Sequence, residues 1–180
     1  MAARIHLAVV AFVAIVLPAA NITLAAEDWN QFLGPNRNGI APSATGLIDT
    51  WPADGPREVW RVSAGVGMSG LAISGGKLCT LVQKDKQQWL VALDPQTGKQ
   101  LWETALAPEY KNAQGDGPRA TPTISGDRVF AHTGQGVLAC VNRTNGSLVW
   151  SHNTIGETKG KVAEYGMSCS PLIVGDLVIV

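Results

Sequence analysis

The chain has 180 residues, of which 14 are basic and 14 acidic, so its formal net charge at pH 7 is zero. A neutral chain lacks the positive surface field that attracts nucleic acid or an anionic membrane. We therefore expect neither of them as a partner.

The first 26 residues have the three regions of a secretory signal peptide. Arg4 provides the positive start, an apolar run extends from Leu7 to Leu17, and small residues offer a cleavage point between residues 20 and 26. The run is shorter than the roughly 20 apolar residues of a spanning helix, and the first cysteine, Cys79, lies too late for a lipoprotein. We therefore expect a periplasmic or secreted chain without a membrane anchor. The alternative is an uncleaved amphipathic or buried helix.

After the signal, short apolar strands succeed one another with no helical periodicity. The first unit has four of them, with a Gly75-Gly76 turn between the first two. The predicted strands of this unit are 70–74, 77–82, 88–93 and 100–104.

The next unit repeats this order with shorter loops, and a third unit begins after it. Its first turn is Gly126-Asp127, and the third unit has Gly175-Asp176 at the same point. The predicted strands are 121–125, 128–131, 137–141 and 147–150, followed by 170–174 and 177–180.

The turn glycines give the period of the repeat. Gly75, Gly126 and Gly175 are 51 and 49 residues apart. Four strands in about 40 to 50 residues are typical of a β-propeller blade, and roughly four to eight blades close a ring. The sequence therefore predicts an all-β fold, a partial β-propeller of about 2.5 blades whose ring is not closed.

One motif occurs twice, from Ala92 to Trp102 and from Cys140 to Trp150. In each copy an Asp or Asn accepts hydrogen bonds from turn amides, and a glycine takes the positive φ of the turn. A tryptophan on the outermost strand then wedges between adjacent blades. We predict structural roles for the motif residues and for one tryptophan upstream: Asp94, Gly98, Trp102, Asn142, Gly146, Trp150 and Trp60.

The pattern Ala-x-Asp-x-x-Thr-Gly-Lys-x-x-Trp, which begins at Ala92, resembles the tryptophan-docking motif of pyrroloquinoline-quinone-like (PQQ-like) repeats. Such repeats build quinoprotein dehydrogenases and also non-enzymatic propellers, including the barrel-assembly lipoprotein of the outer membrane. The stretches 28–39 and 117–122 resemble a secreted subgroup common in planctomycete-type bacteria. The resemblance covers 28–180 and implies the propeller fold for all of it.

This organisation gives three predicted regions. They are a signal peptide at 1–26, an N-terminal extension at 27–56 and a partial propeller at 57–180. Within the propeller we expect an outer strand around 57–63, blades at 66–106 and 118–153, and half a blade at 166–180. Because this arc cannot close, we expect a truncated copy of a longer protein whose missing blades are its partners, with a natural half-propeller that assembles as the alternative.

Ligands of propellers usually meet the loops at the channel mouth, here 66–69, 107–119 and 163–168. Met68, Arg119 and Ser168 occupy equivalent positions, because each lies seven residues before the turn glycine of its unit. Arg119 is the candidate ligand-binding residue for a carboxylate or quinone, and the interpretation we favour over binding is loop ordering through backbone carbonyls or Asp116. Tyr165 is the candidate to stack on a sugar or quinone, and the interpretation we favour over stacking is loop anchoring.

Two further side chains, one in a loop and one in a strand, are candidates for a chemical role. Tyr110 has the same two interpretations as Tyr165, stacking on a ligand or anchoring its loop. His132 lacks a metal-ligand companion, so we expect a surface or hydrogen-bonded core histidine.

No cofactor is evident, and we assign neither catalytic nor metal-binding residues. The quinoprotein enzymes that the motif resembles use adjacent cysteines and a Ca²⁺ held by Glu, Asn and Asp. Here Cys79, Cys140 and Cys169 are far apart and fit small core residues better than a redox site. PQQ with calcium is therefore expected only if the active-site blades lie outside this chain.

Two functions remain open. The first is a binding or scaffold module that holds a protein or cell-surface ligand at its loops. The alternative is part of a quinone-dependent alcohol or sugar dehydrogenase.

Overall fold

The computed structural model describes residues 28–41, 46 and 48–180, and the predicted signal peptide lies outside them. The first sheet has four antiparallel strands in chain order, each joined to the next by a short turn. They are β1 (Ala72–Ser74), β2 (Lys77–Lys84), β3 (Gln87–Leu93) and β4 (Gln100–Pro108).

The second unit is built in the same way, and the third contributes a hairpin. The second sheet contains β5 (Thr123–Ser125), β6 (Arg128–His132), β7 (Val137–Asn142) and β8 (Leu148–Asn153), and the hairpin contains β9 (Leu172–Val174) and β10 (Leu177–Ile179). The equivalent open sheets confirm the predicted all-β partial propeller. We call the first strands of the three units, β1, β5 and β9, the inner strands.

A short helix corrects the expectation that no helix follows the signal. Helix α1 spans Thr154–Thr158 directly after β8. The side chain of Asn153 caps it by accepting a hydrogen bond from the amide of Gly156 (2.9 Å), and Lys159 ends it with a positive φ of 55°. Five residues are too few to show a helical period in the sequence, so the cap was the only signal.

The main core lies between the first two sheets. One face of the first sheet contributes Leu81, Leu90 and Trp102, and the facing side of the second contributes Val129 and Val141, all buried. Small residues such as alanines fill the remaining positions and let the sheets approach closely. The interface between blades is therefore the hydrophobic core of the molecule.

The opposite face of the first sheet has its own cluster. Leu78 and Val91 belong to it, and Trp60 packs against it. The predicted outer strand around 57–63 does not form a ladder here, because no described strand pairs with it. The bridge between Val66 and Gln83 and the hydrogen bonds of Ser69 with Thr80 and Leu81 tie the following residues to β2.

The residues 28–41, which we call the N-terminal strap, cross the inner strands. The carboxylate of Asp28 accepts a hydrogen bond from the Ser74 hydroxyl (2.6 Å), and the carbonyl of Trp29 accepts one from the amide of Ile73 (2.8 Å). Asn30 pairs with Ile124 through both its carbonyl (2.8 Å) and its side-chain amide (3.0 Å). The strap therefore covers the edges of β1 and β5.

Candidate binding cleft at the inner strands

The three aligned loop positions line one open cleft of about 560 Å³. Met68, Arg119 and Ser168 reach it from the segments that lead into the three inner strands. The strap forms the facing wall with Trp29, Phe32, Leu33 and Arg37, and the remaining lining residues are Gly70, Leu71, Thr121, Cys169 and Ser170. Three units and the strap thus converge on a single site.

Arg119 is held in a fixed position by its own loop. Its guanidinium donates to the carbonyl oxygens of Gly117 (2.5 Å) and Gly115 (2.6 Å), and it lies over the ring of Tyr110, 5.0 Å from the centroid. These contacts match the loop-ordering alternative, through backbone carbonyls rather than Asp116. Arg119 nevertheless belongs to the lining of the cleft, where a ligand was predicted.

Arg37 is a second cation of the cleft, and the sequence reasoning did not single it out. Its guanidinium donates to the carbonyl oxygens of Pro171 (3.2 Å) and Ser170 (3.4 Å) and to the side chain of Gln31 (3.4 Å). It therefore ties the strap to the third unit. The only signal in the sequence was its place in the stretch 28–39, which carried the resemblance to the secreted subgroup.

The two loop tyrosines differ in position. The ring of Tyr110 lies against Gly134 and Gly166, where an added Cβ would come within 2.7 and 2.8 Å of it. Its hydroxyl accepts a hydrogen bond from the side chain of Asn112 (3.0 Å), so Tyr110 anchors its loop. Tyr165 is 56% exposed and lies outside the lining of the cleft.

A buried histidine lies behind the cleft. His132 is fully buried, and its Nδ1 contacts the carbonyl oxygen (3.3 Å) and the Sγ (3.4 Å) of Cys169. Burial lowers the pKa of His132, and the contact with the Cys169 carbonyl partly opposes this. Its Nε2 has no hydrogen-bond partner among the described residues. His132 is therefore a core histidine, as one of the two interpretations expected, but only one of its two ring nitrogens has a partner.

The cysteines divide into two environments. Cys79 and Cys140 are buried as expected, and burial raises the pKa of the Cys79 thiol to about 12. Burial also raises the pKa of Cys140. Cys169 corrects the expectation, because it is exposed and lies before β9 rather than within a strand.

The two turns of the repeated motif have the same geometry. In the first, Oδ1 of Asp94 accepts hydrogen bonds from the amides of Gln96 and Thr97, both at 2.9 Å, and Gly98 has a φ of 71°. In the second, Asn142 accepts from two equivalent amides, and Gly146 has a φ of 73°. The Thr97 hydroxyl and backbone amides hold the pKa of Asp94 below its usual value.

Two tryptophans contact these turns in the same way, one blade apart. The indole N–H of Trp60 donates to the carbonyl of Pro95 and that of Trp102 to the carbonyl of Arg143, both at 3.0 Å. An added Cβ on the turn glycine, Gly98 or Gly146, would lie 2.6 Å from the ring in each case. Each tryptophan therefore packs flat on the turn of the next unit.

The third tryptophan of the motif has a different environment. Trp150 is half-buried, and its ring lies 6.0 Å from Phe130 and 5.5 Å from His152. The imidazole of His152 in turn contacts Glu157 of α1 (3.1 Å). Within the described residues, no third motif turn lies beneath Trp150.

Comparisons with known proteins agree with this architecture. A family model described as outer membrane protein assembly factor BamB matches residues 46–180. No curated protein matches the chain. Among solved structures, a europium-containing methanol dehydrogenase is similar at 18% identity, with 68% of this chain and 22% of that chain covered and a TM-score of 0.52.

Two further structures are similar over shorter or less well superposed regions. BamB from Moraxella catarrhalis is 18% identical, with 58% of this chain and 31% of that chain covered and a TM-score of 0.43. The quinohemoprotein alcohol dehydrogenase ADHIIG from Pseudomonas putida HK5 is 16% identical, with 66% and 17% covered and a TM-score of 0.46. The chain spans less than a third of the length of each of these three proteins.

The repeated four-stranded sheets and the likeness in fold define a β-propeller, and the family model assigns its repeats to the PQQ-like class. Since the family model covers most of its length, the chain belongs to the outer membrane protein assembly factor BamB family. In the part of the chain that the structure describes, no helix has the length and apolar character needed to cross a bilayer.

Proposed function

We propose that this chain is part of a periplasmic or secreted PQQ-like propeller that works as a binding and scaffold module. The observation that carries the proposal is the open cleft, on which loops from three units and the strap converge. Binding sites are commonly built from loops that a rigid scaffold positions. The description of the matched family, an assembly factor for outer membrane proteins, supports a protein as the ligand.

Site-specific photo-crosslinking in the native host tests this proposal. A photoreactive amino acid at Ser168, which is exposed and lines the cleft, is expected to form an adduct with one partner. The same amino acid at Leu101, exposed on β4, is the control position. The partner identified by mass spectrometry should then bind the purified protein. Equal adducts at both positions, or none at Ser168, would contradict the proposal.

The quinone-dependent alternative places the active-site blades outside this chain. Over 28–41, 46 and 48–180, no three His, Cys, Asp or Glu side chains are grouped to hold a metal ion. The three free cysteines are also not adjacent. Adding PQQ and Ca²⁺ to the intact protein and measuring dye-linked oxidation of alcohols and sugars tests this alternative, which predicts turnover.

A further inference from the structure

We propose that the cleft binds an amphipathic carboxylate, a small anion with an apolar body, and that Arg37 and Arg119 together recognise its carboxylate. The inference rests on the proposed function in taking the cleft as a binding site, and it goes beyond that function by adding a small ligand to the protein partner. It is carried by the charge, the unused hydrogen-bond donors and the apolar wall of the site.

The first observation is uncompensated positive charge. Two arginines line the cleft, whereas none of the described lining residues is acidic. Neither Arg37 nor Arg119 belongs to any ion pair found among the described residues. A concave site with charge of one sign and low-dielectric walls concentrates its potential and favours an anion.

The second observation is that both guanidinium groups retain free donors. A guanidinium has five N–H donors. Arg119 uses two of them on the carbonyls of Gly115 and Gly117. Arg37 uses three contacts, two to carbonyls of the third unit and one to Gln31. Each arginine therefore keeps N–H groups for a ligand, and planar guanidinium groups suit carboxylates particularly well.

The same contacts fix the two side chains before a ligand arrives. Arg119 is clamped by two carbonyls and the Tyr110 ring, and Arg37 by the backbone that leads into β9. A side chain that is already ordered loses little conformational entropy on binding. The arginines are thus positioned as a preformed receptor for an anionic group.

The third observation is the apolar wall beside these cations. Phe32, Leu33, Met68 and Leu71 line the cleft and are between 42 and 52% exposed. The volume of about 560 Å³ lies within the usual range of small-molecule sites. An inorganic anion would leave this apolar surface in water, whereas an amphipathic carboxylate would cover it.

Titration calorimetry with octanoate tests the inference on the full chain, and octan-1-ol serves as the uncharged probe of the same length. We expect octanoate to bind at least about tenfold more tightly than octan-1-ol, because charged hydrogen bonds contribute the difference. We also expect the octanoate affinity to fall as salt is raised. Equal affinities for the two probes would overturn the inference.

Variants assign the binding to this cleft. Arg37→Gln and Arg119→Gln should each weaken octanoate binding about tenfold, whereas Arg61→Gln, an exposed arginine outside the cleft, should leave it unchanged. Because the first two changes remove loop contacts, Ser168→Asp provides an independent test that adds a charge at an exposed position. The Ser168→Asp substitution should weaken octanoate binding. The Ser168→Asn substitution should not, because asparagine has nearly the shape of aspartate but no charge.

The possible failures are distinguishable. If octanoate does not bind but the Ser168 crosslink identifies a protein partner, the inference is wrong and the scaffold proposal stands. If PQQ binds and octanoate neither binds nor competes, the inference is wrong and the quinone alternative gains support. Octanoate binding that survives the Ser168→Asp substitution would place the ligand elsewhere and overturn the inference.

Discussion

At the scale of single residues, the motif positions require glycine for two reasons: the tryptophan ring that packs on them and their positive φ. Gly146 has a positive φ and supports the ring of Trp102, whose indole bonds to the carbonyl of Arg143. Gly126 also has a positive φ, 56°, but open space surrounds the position of an added Cβ. The two residues therefore separate backbone strain from the contact with tryptophan.

We predict that Gly126→Ala lowers the free energy of unfolding by about 1 kcal/mol, the cost of a left-handed alanine. Gly146→Ala should cost about 2 kcal/mol more, because its methyl group would displace the Trp102 ring from the turn. Urea unfolding followed by tryptophan fluorescence measures both. Equal losses for the two variants would show that the ring does not depend on this glycine.

His132 makes the stability of the fold depend on pH. Burial lowers its pKa in the folded state below the ordinary value of 6.5, so the unfolded chain binds the proton more readily. The contribution of neutral His132 is therefore complete above about pH 6.5 and is lost as the pH falls toward the folded-state pKa.

Thermal melting between pH 5 and pH 8 should show this loss toward acid. In His132→Asn, whose amide can still donate to the carbonyl of Cys169, the melting temperature should depend less on pH over this range. An unchanged pH dependence in the variant would assign the effect to other groups.

At the scale of elements, the hairpin between β2 and β3 has a turn whose residues are not the ones typical of its conformation. Lys84 pairs with Gln87, so the loop is Asp85-Lys86, with positive φ values of 50 and 58°. Two consecutive positive φ angles define the turn type that Asn-Gly fills best. A lysine in this conformation is strained.

Replacing Asp85-Lys86 with Asn-Gly should therefore raise the free energy of unfolding, by up to about 1 kcal/mol. Chemical denaturation measures the change. The single variant Asp85→Asn is the control and should give a smaller gain, because the lysine strain remains. A loss of stability in the double variant would mean that the lysine side chain makes a contact that offsets its strain.

The same elements show how far the sequence could be read. The short apolar runs and the turn glycines predicted each strand of the three units to within a few residues, since both signals are local. The outer strand around 57–63 stays a prediction, because a ladder requires a partner and no described strand pairs with these residues. The cleft was predicted in part: the repeat period aligned Met68, Arg119 and Ser168, but nothing local placed Arg37 beside them.

At the scale of the whole molecule, the strap contacts all three units. In the repeat itself, each unit packs only against the unit next to it in the chain. The amides of Ile73 and Ile124 both donate to strap carbonyls. We predict that deletion of residues 28–41 speeds hydrogen exchange at these two amides, while central ladder amides such as that of Leu90 keep their protection. The substitution Asn30→Ala, which removes only a side-chain hydrogen bond, is the milder control. Unchanged exchange at Ile73 and Ile124 would contradict the bridging role of the strap.

The strap also has a consequence for the order in which the chain folds. Its contacts join residues that are 94 and 134 positions apart, whereas the ladders join strands that follow one another. Long-range contacts of this kind form late, because a large loop must close first. During synthesis Asp28 and Trp29 could therefore pair with β1 early, whereas the contacts of Arg37 would form only after the third unit had emerged. Each repeat could fold as it emerges, but complete docking of the strap is a last step, because it requires all three units to be folded.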